Sequence, residues 1–524
     1  MKKTLLALLC CWTGIEAQAT TPVWSTDVAP ILYNHCTSCH HDGGIAPFSL
    51  MTYSEGVAQA TGMQHDVSDG VMPPWPPDRN YSRFAHERIL TTAEVNTIVD
   101  WVNGGTPSGD LALAPPAPTY ATGGTLPGTP DLVIRIPTYT STATTGDVYQ
   151  CFSVPSGLLA DKYITAFEAI PGNAAIVHHV LVFSDTSGEC AALDAASPGP
   201  GYPNFGGVGS NNANMVGAWV PGSAPMVYPN GFGLRLPQGS DIVFQIHYPA
   251  GTTGMADSTE VHFYFAPTST GIRNVYIQPI LNHESNINTP LNIAANTTQT
   301  YHEQQAVPFD ITLLGLAPHM HLLGKNIKSY SVAGADTTKL ISIPKWDFHW
   351  QGFYAFPRLV HVPAFASLHA DAFYDNTTSN PENPNSPPQT VTAGENTTDE
   401  MMLVYFIFTL YQPGDENIIV DSAVALNTPS LSSTYYHGQQ LLSIYPNPAS
   451  EEMIVKCYFD APDNATIDLA DMNGRVVRQY MMGGTINKGY NTFKYPASDI
   501  PSGNYVLRMR TSQKIMTDKV TITH

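Results

Sequence analysis

The stretch Ile176-Val177-His178-His179-Val180-Leu181-Val182-Phe183 decides how most of this 524-residue chain is read. Its residues are β-branched, aromatic or apolar, and it is too short and too dense in Val for an amphipathic helix. It reads as a buried strand carrying a histidine pair. Similar runs recur at Asp131–Ile136, Ile242–Tyr248, Glu260–Phe265 and Met401–Leu410, separated by Gly, Pro and Asn. With 43 Pro, 41 Gly and only 13% charged residues, the composition suits turn-rich β-domains. The expected fold class is therefore multidomain and mainly β. Residues 131–430 suit two β-sandwiches, 131–268 and 269–430, and a further small sandwich follows at 442–524.

Three histidine groups stand out in the β-region: His178-His179, His247 in Gln245-Ile246-His247-Tyr248, and His319-Met320-His321. On a strand, residues two apart share a face, so His319 and His321 can hold one ion together. Adjacent His178 and His179 point to opposite faces unless a bulge or strand end swings one round. A single strand histidine is more often structural than a ligand; the conjunction points to metal. Met401-Met402 heads an apolar strand, and Met401 rather than Met402 is the expected ligand, because only one of the two can face the histidines. Two imidazoles and a thioether select copper over zinc or iron.

The N-terminal part has different chemistry. Residues 24–107 read as helical, with Val95, Ile98, Val99 and Val102 at helical spacing, Thr92 as N-cap and Gly104-Gly105 as the stop. Cys36-Thr37-Ser38-Cys39-His40 is the c-type haem attachment pattern: two thiols for thioether bonds and an imidazole for the iron. A redox or zinc cysteine pair is the alternative, but zinc needs a second soft pair, and no other Cys lies between the signal segment and Cys151. Met72, held among prolines in Val71-Met72-Pro73-Pro74-Trp75, is the expected sixth ligand, with Met51 and Met63 as competitors. Residues 108–130, rich in Ala, Pro, Gly and Thr, read as a linker. Residues 24–107 resemble the small cytochrome c domains of multidomain bacterial exported proteins, where a Met-Pro-Pro-Trp sequence supplies the axial Met.

Lys2-Lys3, a short apolar run and Ala17-Gln18-Ala19 read as a signal peptide, 1–19. No later stretch is apolar enough for a transmembrane segment. A formal net charge of −20 argues against nucleic acid as a partner. The expectation is a secreted or surface protein exported through the periplasm, in which Cys151 and Cys190 pair as a disulfide and Cys457 stays a buried thiol.

Residues 131–430 resemble the copper type II, ascorbate-dependent monooxygenases, the family of peptidylglycine hydroxylase and dopamine β-monooxygenase. The resemblance rests on His178-His179, Gln245 to His247, His319 and His321 followed by Gly324-Lys325, and Glu400-Met401 with Tyr405 four residues on. It implies two jelly-roll-like domains and two copper ions. His178, His179 and His247 would hold the electron-relaying copper; His319, His321 and Met401, with Tyr405 nearby, the copper that activates O2 for C–H hydroxylation. Cys151 and Cys190 match a disulfide of the family. The partners implied are O2, a small-molecule substrate and an external donor, ascorbate or a redox protein. Ala317 and Leu403 stand where peptidylglycine enzymes have Arg and Asn, so a substrate carboxylate would lack its partner and a neutral or hydrophobic substrate is expected. The rival reading is a non-catalytic electron-transfer or copper-binding protein. A zinc hydrolase is disfavoured because no Glu accompanies the histidines as general base.

Residues 442–524 resemble the type A sorting domain of the type nine secretion system, an Ig-like β-sandwich. The matches are Tyr445-Pro446-Asn447-Pro448, Asp471 to Gly474, Gly503 to Val506 and Lys519 to Thr523. The type nine secretion machinery is the implied partner. The fused c-type haem is expected to relay electrons to the copper of His178, His179 and His247.

Overall fold

A computed structural model describes residues 21–120, 123–204, 207–394, 396–425, 435–436, 439–440, 442–445, 448–459, 462–471, 475–511 and 515–524. The expected signal peptide lies outside them, as do Pro446 and Asn447 and the 472–474 part of the Asp471 motif. Among the described residues, no helix is long and apolar enough to cross a membrane. The chain is mainly β and divides into two compact units, Met1–Trp75 with Arg88–Tyr120, and Pro76–Glu87 with Ala121–His524.

The smaller unit is helical: Ala29–His35, Tyr53–Ala58, Ala60–Ser68 and Thr92–Asn103, with a π turn at Trp24–Val28. Trp24 and Trp101 pack at 5.8 Å in its core beside Val28, Leu32 and Ile98. Met63 belongs to this core. The N-cap of the last helix is Thr91, not Thr92. Its hydroxyl accepts the Glu94 N–H at 3.2 Å, and the Glu94 carboxylate accepts the Thr91 N–H at 2.7 Å. That capping box satisfies two otherwise unpaired donors at once, which a cap one residue later would not.

Parts of the stretch expected as linker are held by neighbouring structure. The Ser25 N–H donates to the Ser108 carbonyl at 3.1 Å, and Tyr120 stacks on His41 at 4.1 Å within the helical unit. Further on, the Thr125 N–H donates to Glu168 at 2.7 Å within the larger unit. Residues 76–87 also belong to the larger unit: Phe84, wholly buried, packs on Tyr354 and Phe356 at 5.4 and 5.7 Å, and the Ala85 N–H donates to the Ala355 carbonyl at 2.8 Å.

A nine-stranded sheet dominates the larger unit. It runs from Leu132–Arg135 through Glu260–Phe265, Lys162–Ile170, Phe232–Leu236, Arg273–Asn282, Met402–Leu410 and Ile311–Met320 to Tyr354–Val362. The Phe232–Leu236 and Arg273–Asn282 strands pair in parallel, so one sheet continues across the position of the expected junction. A five-stranded sheet contains Val148–Pro155, Asp241–Tyr248, His179–Asp185 and Asn214–Trp219. Phe152, Val180 and Phe244 from this sheet share a core with Phe167, Val261 and Phe263 from the first. A four-stranded sheet orders Thr297–Ala306, Ser367–Asn376, Gly324–Ala333 and Asp336–Ile343. The C-terminal strands form a three- and a four-stranded sheet whose common core includes Met453, Val455, Ile467, Leu507 and Cys457.

The disulfide expected between Cys151 and Cys190 is absent from the structure: both are free thiols. They are buried in one cluster with Tyr202 and Val208, but each sulfur turns to a carbonyl, Cys151 to Gly207 at 3.9 Å and Cys190 to Val208 at 3.4 Å. Burial, together with the neighbouring thiol, pushes the Cys151 pKa up, and burial pushes that of Cys190 up to about 11, so both rest as thiols rather than thiolates.

Glu303 sits wholly buried on the Thr297–Ala306 strand with no hydrogen-bond partner on either carboxylate oxygen. Burial alone pushes its pKa up to about 8. The unfolded carboxyl ionises near 4.5 while the folded one keeps its proton, so stability should fall as pH rises between those values. Glu303→Gln should remove that slope and raise stability at pH 8 by a few kcal/mol, as measured by denaturant unfolding at several pH values. A wild-type slope left intact in the variant would contradict the assignment.

Candidate metal centre

His178, His179 and His247 meet at the end of the five-stranded sheet. His179 opens the His179–Asp185 strand and is paired in register with His247, while His178 lies one residue before the strand. That strand-end position lets neighbouring residues turn their rings to the same place. Ligand nitrogens of all three lie within 4.8 Å of one another. His178 Nδ1 is 3.4 Å from His179 Nδ1 and 3.1 Å from His247 Nδ1. Two nitrogens bound to one ion at about 2.0–2.1 Å, at a tetrahedral angle, lie roughly 3.3 Å apart. The spacing is thus that of ligands to a common cation.

The surroundings fix which nitrogen carries the proton. His247 Nε2–H donates to Asp147 at 2.9 Å, which leaves the Nδ1 lone pair facing inward. Asp147 also accepts the Ala250 N–H at 3.0 Å, and the hydrogen bond from His247 holds its carboxyl below the usual range. Gln245 donates its amide to the Gly207 carbonyl and is hydrogen-bonded to the His179 ring. Tyr149 stacks on His247 at 4.3 Å and 8°. Burial, then the His247 and His349 charges, lower the His178 pKa to about 4, and burial drives that of His179 well below its usual value. Neutral imidazoles are the form that binds metal.

A second group forms where the Ile311–Met320 strand ends beside the head of Met402–Leu410. His319 pairs in register with Leu403 and Met320 with Met402. The His319 and His321 rings lie 5.1 Å apart. His319 Nδ1–H donates to Gln351 at 2.5 Å and His321 Nδ1–H to the Asp399 carbonyl at 3.1 Å, so both Nε2 atoms keep their lone pairs. Burial lowers their pKa values to about 4 and about 3. Glu400, wholly buried, accepts backbone N–H groups from His321 at 3.0 Å, Leu323 at 2.6 Å and Met401 at 3.1 Å. That one carboxyl ties the His321 turn to the Met401 backbone. Met401 lines the cavity beside the histidines, whereas Met402 is wholly buried in the core.

Both groups open onto one cavity of about 330 Å³. Its wall includes Leu181, Phe183, Met215, Val220, Phe353 and Leu403, with Ala317 and Tyr405. Tyr405 pairs in register with Ala317. Phe348 lies between the two histidine groups, 6.1 Å from the His178 ring and 5.9 Å from the His321 ring. The same turn carries His349, 6.0 Å from His178, and Gln351. Sequence reasoning did not single out Asp147, Phe348, His349, Gln351 or the cavity-lining His283. The run Asp347-Phe348-His349-Trp350-Gln351, dense in aromatic and amide groups, is the signal that could have found three of them.

The region built around His319, His321 and Met401 is also where family comparison speaks. Residues 280–423 match the family model described as copper type II ascorbate-dependent monooxygenase, C-terminal domain. This part of the chain is similar to that family. It is a family of oxidoreductases that use copper, O2, a substrate and a reductant. Residues 443–523 match the secretion system C-terminal sorting domain, which marks proteins exported by the type nine system to the cell surface or beyond. No curated protein matches the chain. Among solved structures, a calcium-binding mutant of Bacteroides uniformis beta-glucuronidase 2 is 10% identical with a TM-score of 0.17, over 43% of this chain and 26% of that one. Parabacteroides merdae beta-glucuronidase is 9% identical with a TM-score of 0.17, over 68% of this chain and 36% of that one. The VP2 subviral particle of infectious bursal disease virus is 10% identical with a TM-score of 0.16, over 57% and 77%. The chain thus spans between a quarter and two fifths of those two glucuronidases, and overlaps this slight carry no argument.

In the helical unit, Cys36 caps the Ala29–His35 helix, and the Cys39 and His40 N–H groups both donate to the Cys36 carbonyl, at 3.1 and 2.9 Å. The Cys-x-x-Cys-His run is therefore one continued helical turn. His40 Nδ1–H donates to the Phe48 carbonyl at 3.1 Å, which leaves Nε2 available. Met72 sits in the turn after Ala60–Ser68, its N–H donating to the Asp66 carbonyl at 3.2 Å.

If Asp147 sets the His247 tautomer, Asp147→Asn should lower the copper affinity of the His178–His179–His247 group about 10–100-fold, as read by chelator competition. An unchanged affinity would show that the ring is held by packing alone.

Proposed function

We propose that the chain is an exported copper-dependent monooxygenase that hydroxylates a C–H bond of an uncharged, largely apolar small molecule. One oxygen atom of O2 would enter the substrate and the other leave as water, with two electrons and two protons taken from an outside donor. The observation that carries the reading is the single apolar-walled cavity onto which both histidine groups open, in a chain whose residues 280–423 match this family.

The residues present fit copper. His178, His179 and His247 offer three convergent ring nitrogens, and His319, His321 and Met401 offer two imidazoles and a thioether, a donor set that favours copper over zinc. Copper held by these groups supplies one-electron redox chemistry and oxygen activation. The chain's own contribution is orientation and exclusion. Gln351 and the Asp399 carbonyl keep protons on the outer nitrogens of His319 and His321. Glu400 holds the backbone that presents Met401. Ala317 and Leu403 give the substrate end an apolar wall that favours a neutral molecule over a carboxylate. Phe348 lies between the two groups, within 6.1 Å of the His178 ring and 5.9 Å of the His321 ring.

Metal analysis with an oxygen-consumption assay under reductant tests the reading. Wild type should take up two copper ions and consume O2 with substrate. Met401→Ala should abolish hydroxylation while copper remains at the other group. Full activity in that variant, with loss in Met402→Ala, would overturn the assignment.

The helical unit is proposed to carry a covalent haem on Cys36 and Cys39, with His40 and Met72 as axial ligands. The free Nε2 of His40 supports this. His/Met ligation suits single-electron transfer. The chain passes between the two units three times, after Trp75, Glu87 and Tyr120, so such a haem would stay at high effective concentration near the copper-binding unit. A haem held by these residues would supply single electrons, for which the His178–His179–His247 group is the proposed acceptor. In stopped flow, a pre-reduced sample should oxidise its haem in step with product on adding O2 and substrate. A haem that stays reduced through repeated turnovers, or normal turnover in Met72→Ala, would sink the relay.

A further inference from the structure

A third set of imidazoles lies away from the cavity, on the outer face of the four-stranded sheet. Along Ser367–Asn376 buried and half-exposed residues alternate, so Ser367, His369 and Asp371 share the outer face. The neighbouring Thr297–Ala306 strand pairs His302 with Asp371 and Gln304 with His369, which sets His302 diagonally beside His369. From the other side, the Gly324–Ala333 strand contributes Tyr330 opposite His369 and Lys328 opposite Asp371.

These side chains are oriented by their neighbours. His302 Nδ1–H donates to Asp371 Oδ1 at 2.7 Å; a carboxylate only accepts, so in the neutral form of the ring the lone pair of His302 lies on Nε2. That Nε2 faces His369 Nδ1 at 3.3 Å. The far nitrogen of His369, Nε2, is 2.7 Å from Ser367 Oγ, and the ring stacks on Tyr330 at 5.0 Å and 4°. Lys328 Nζ lies 3.2 Å from the second oxygen of Asp371. Burial, followed by the His302 charge, lowers the His369 pKa, which favours the neutral ring.

We propose that His302 Nε2 and His369 Nδ1 form a further metal site, one for a borderline divalent ion of the copper, nickel or zinc type. The spacing of 3.3 Å is that expected of two imidazole ligands on one tetrahedral ion, about 3.3 Å for bonds of about 2.0–2.1 Å. The arrangement repeats that of His247 and Asp147, in which a carboxylate grips the outer nitrogen of a ring at 2.9 Å and aims the inner one. Imidazole donors with no thiolate select this class of ion over calcium or magnesium, and copper(II) should bind most tightly of the three. His302 and Asp371 are 34% and 26% exposed, so ions can enter and water can complete the coordination. The inference is independent of the monooxygenase reading, because none of these residues lines the cavity.

The alternative to an ion is a proton shared between the two rings, and the test separates them. Full-length wild type, His302→Gln and His369→Gln are dialysed to equilibrium against zinc, and bound zinc is counted per chain. Each variant should hold one ion fewer than wild type, with an unchanged circular dichroism spectrum. Asp371→Asn should keep the ion but bind it about 10–100-fold more weakly. Equal zinc counts in wild type and both histidine variants would overturn the site and leave the shared proton as the explanation. The count at the cavity histidines cancels in the difference, so a failure of the copper reading does not imitate either result.

Discussion

A neutral imidazole has one nitrogen that donates and one that accepts, and the functional geometry of this protein depends on which is which. An acceptor that cannot donate, a carboxylate or a carbonyl, fixes the answer at several of its histidines. Asp147 does so for His247, the Asp399 carbonyl for His321, the Phe48 carbonyl for His40 and Asp371 for His302. In each case the opposite nitrogen is left with a lone pair. Around His247 that lone pair faces His178 Nδ1 at 3.1 Å. Burial adds to this by favouring the uncharged form of His178, His179, His319 and His321, with His178 and His319 lowered to about 4. Rings prepared in this way have little left to do but accept a proton or a cation.

The backbone carries these rings to strand ends, where direction can change within a residue or two. His178 lies just before a strand and His321 just after one, while His179, His247 and His319 lie within strands. The continuous nine-stranded sheet carries His319 and the strand beside Met401, and the five-stranded sheet carries His179 and His247. Residues of both sheets share one hydrophobic core, so the walls of the cavity rest on one packed body. Glu400 is the clearest case of a buried polar group placed for position: three backbone N–H groups converge on it, and they belong to His321, Leu323 and Met401.

Much of this was legible in the chain. Strand periodicity, the three histidine groups, the Cys-x-x-Cys-His turn and the sorting-domain landmarks are local patterns, set by side-chain alternation and short-range spacing, and they can be read without the fold. The family resemblance built on His319, His321 and Glu400-Met401 falls within the matched residues 280–423. Local signals also misled. Spacing points to Thr92 as the cap, whereas the reciprocal bonds with Glu94 make it Thr91. Cys151 and Cys190 are buried in one cluster, yet both are free, and each sulfur donates to a backbone carbonyl.

By itself, then, the sequence determined the mainly β class, the residue types able to hold metal and the export landmarks, because each depends on contacts within a few residues. Only the tertiary structure decided which distant groups meet. Asp147 lies 100 residues before His247, Gln351 lies 32 residues after His319, and Phe348 joins rings from both halves of the β-region. It also set residues 76–87 into the larger unit, through a buried Phe84 that no local pattern marks as an anchor. Such pairings are chosen by packing and by the need to satisfy buried polar atoms across the whole fold, and neither constraint is written in local spacing.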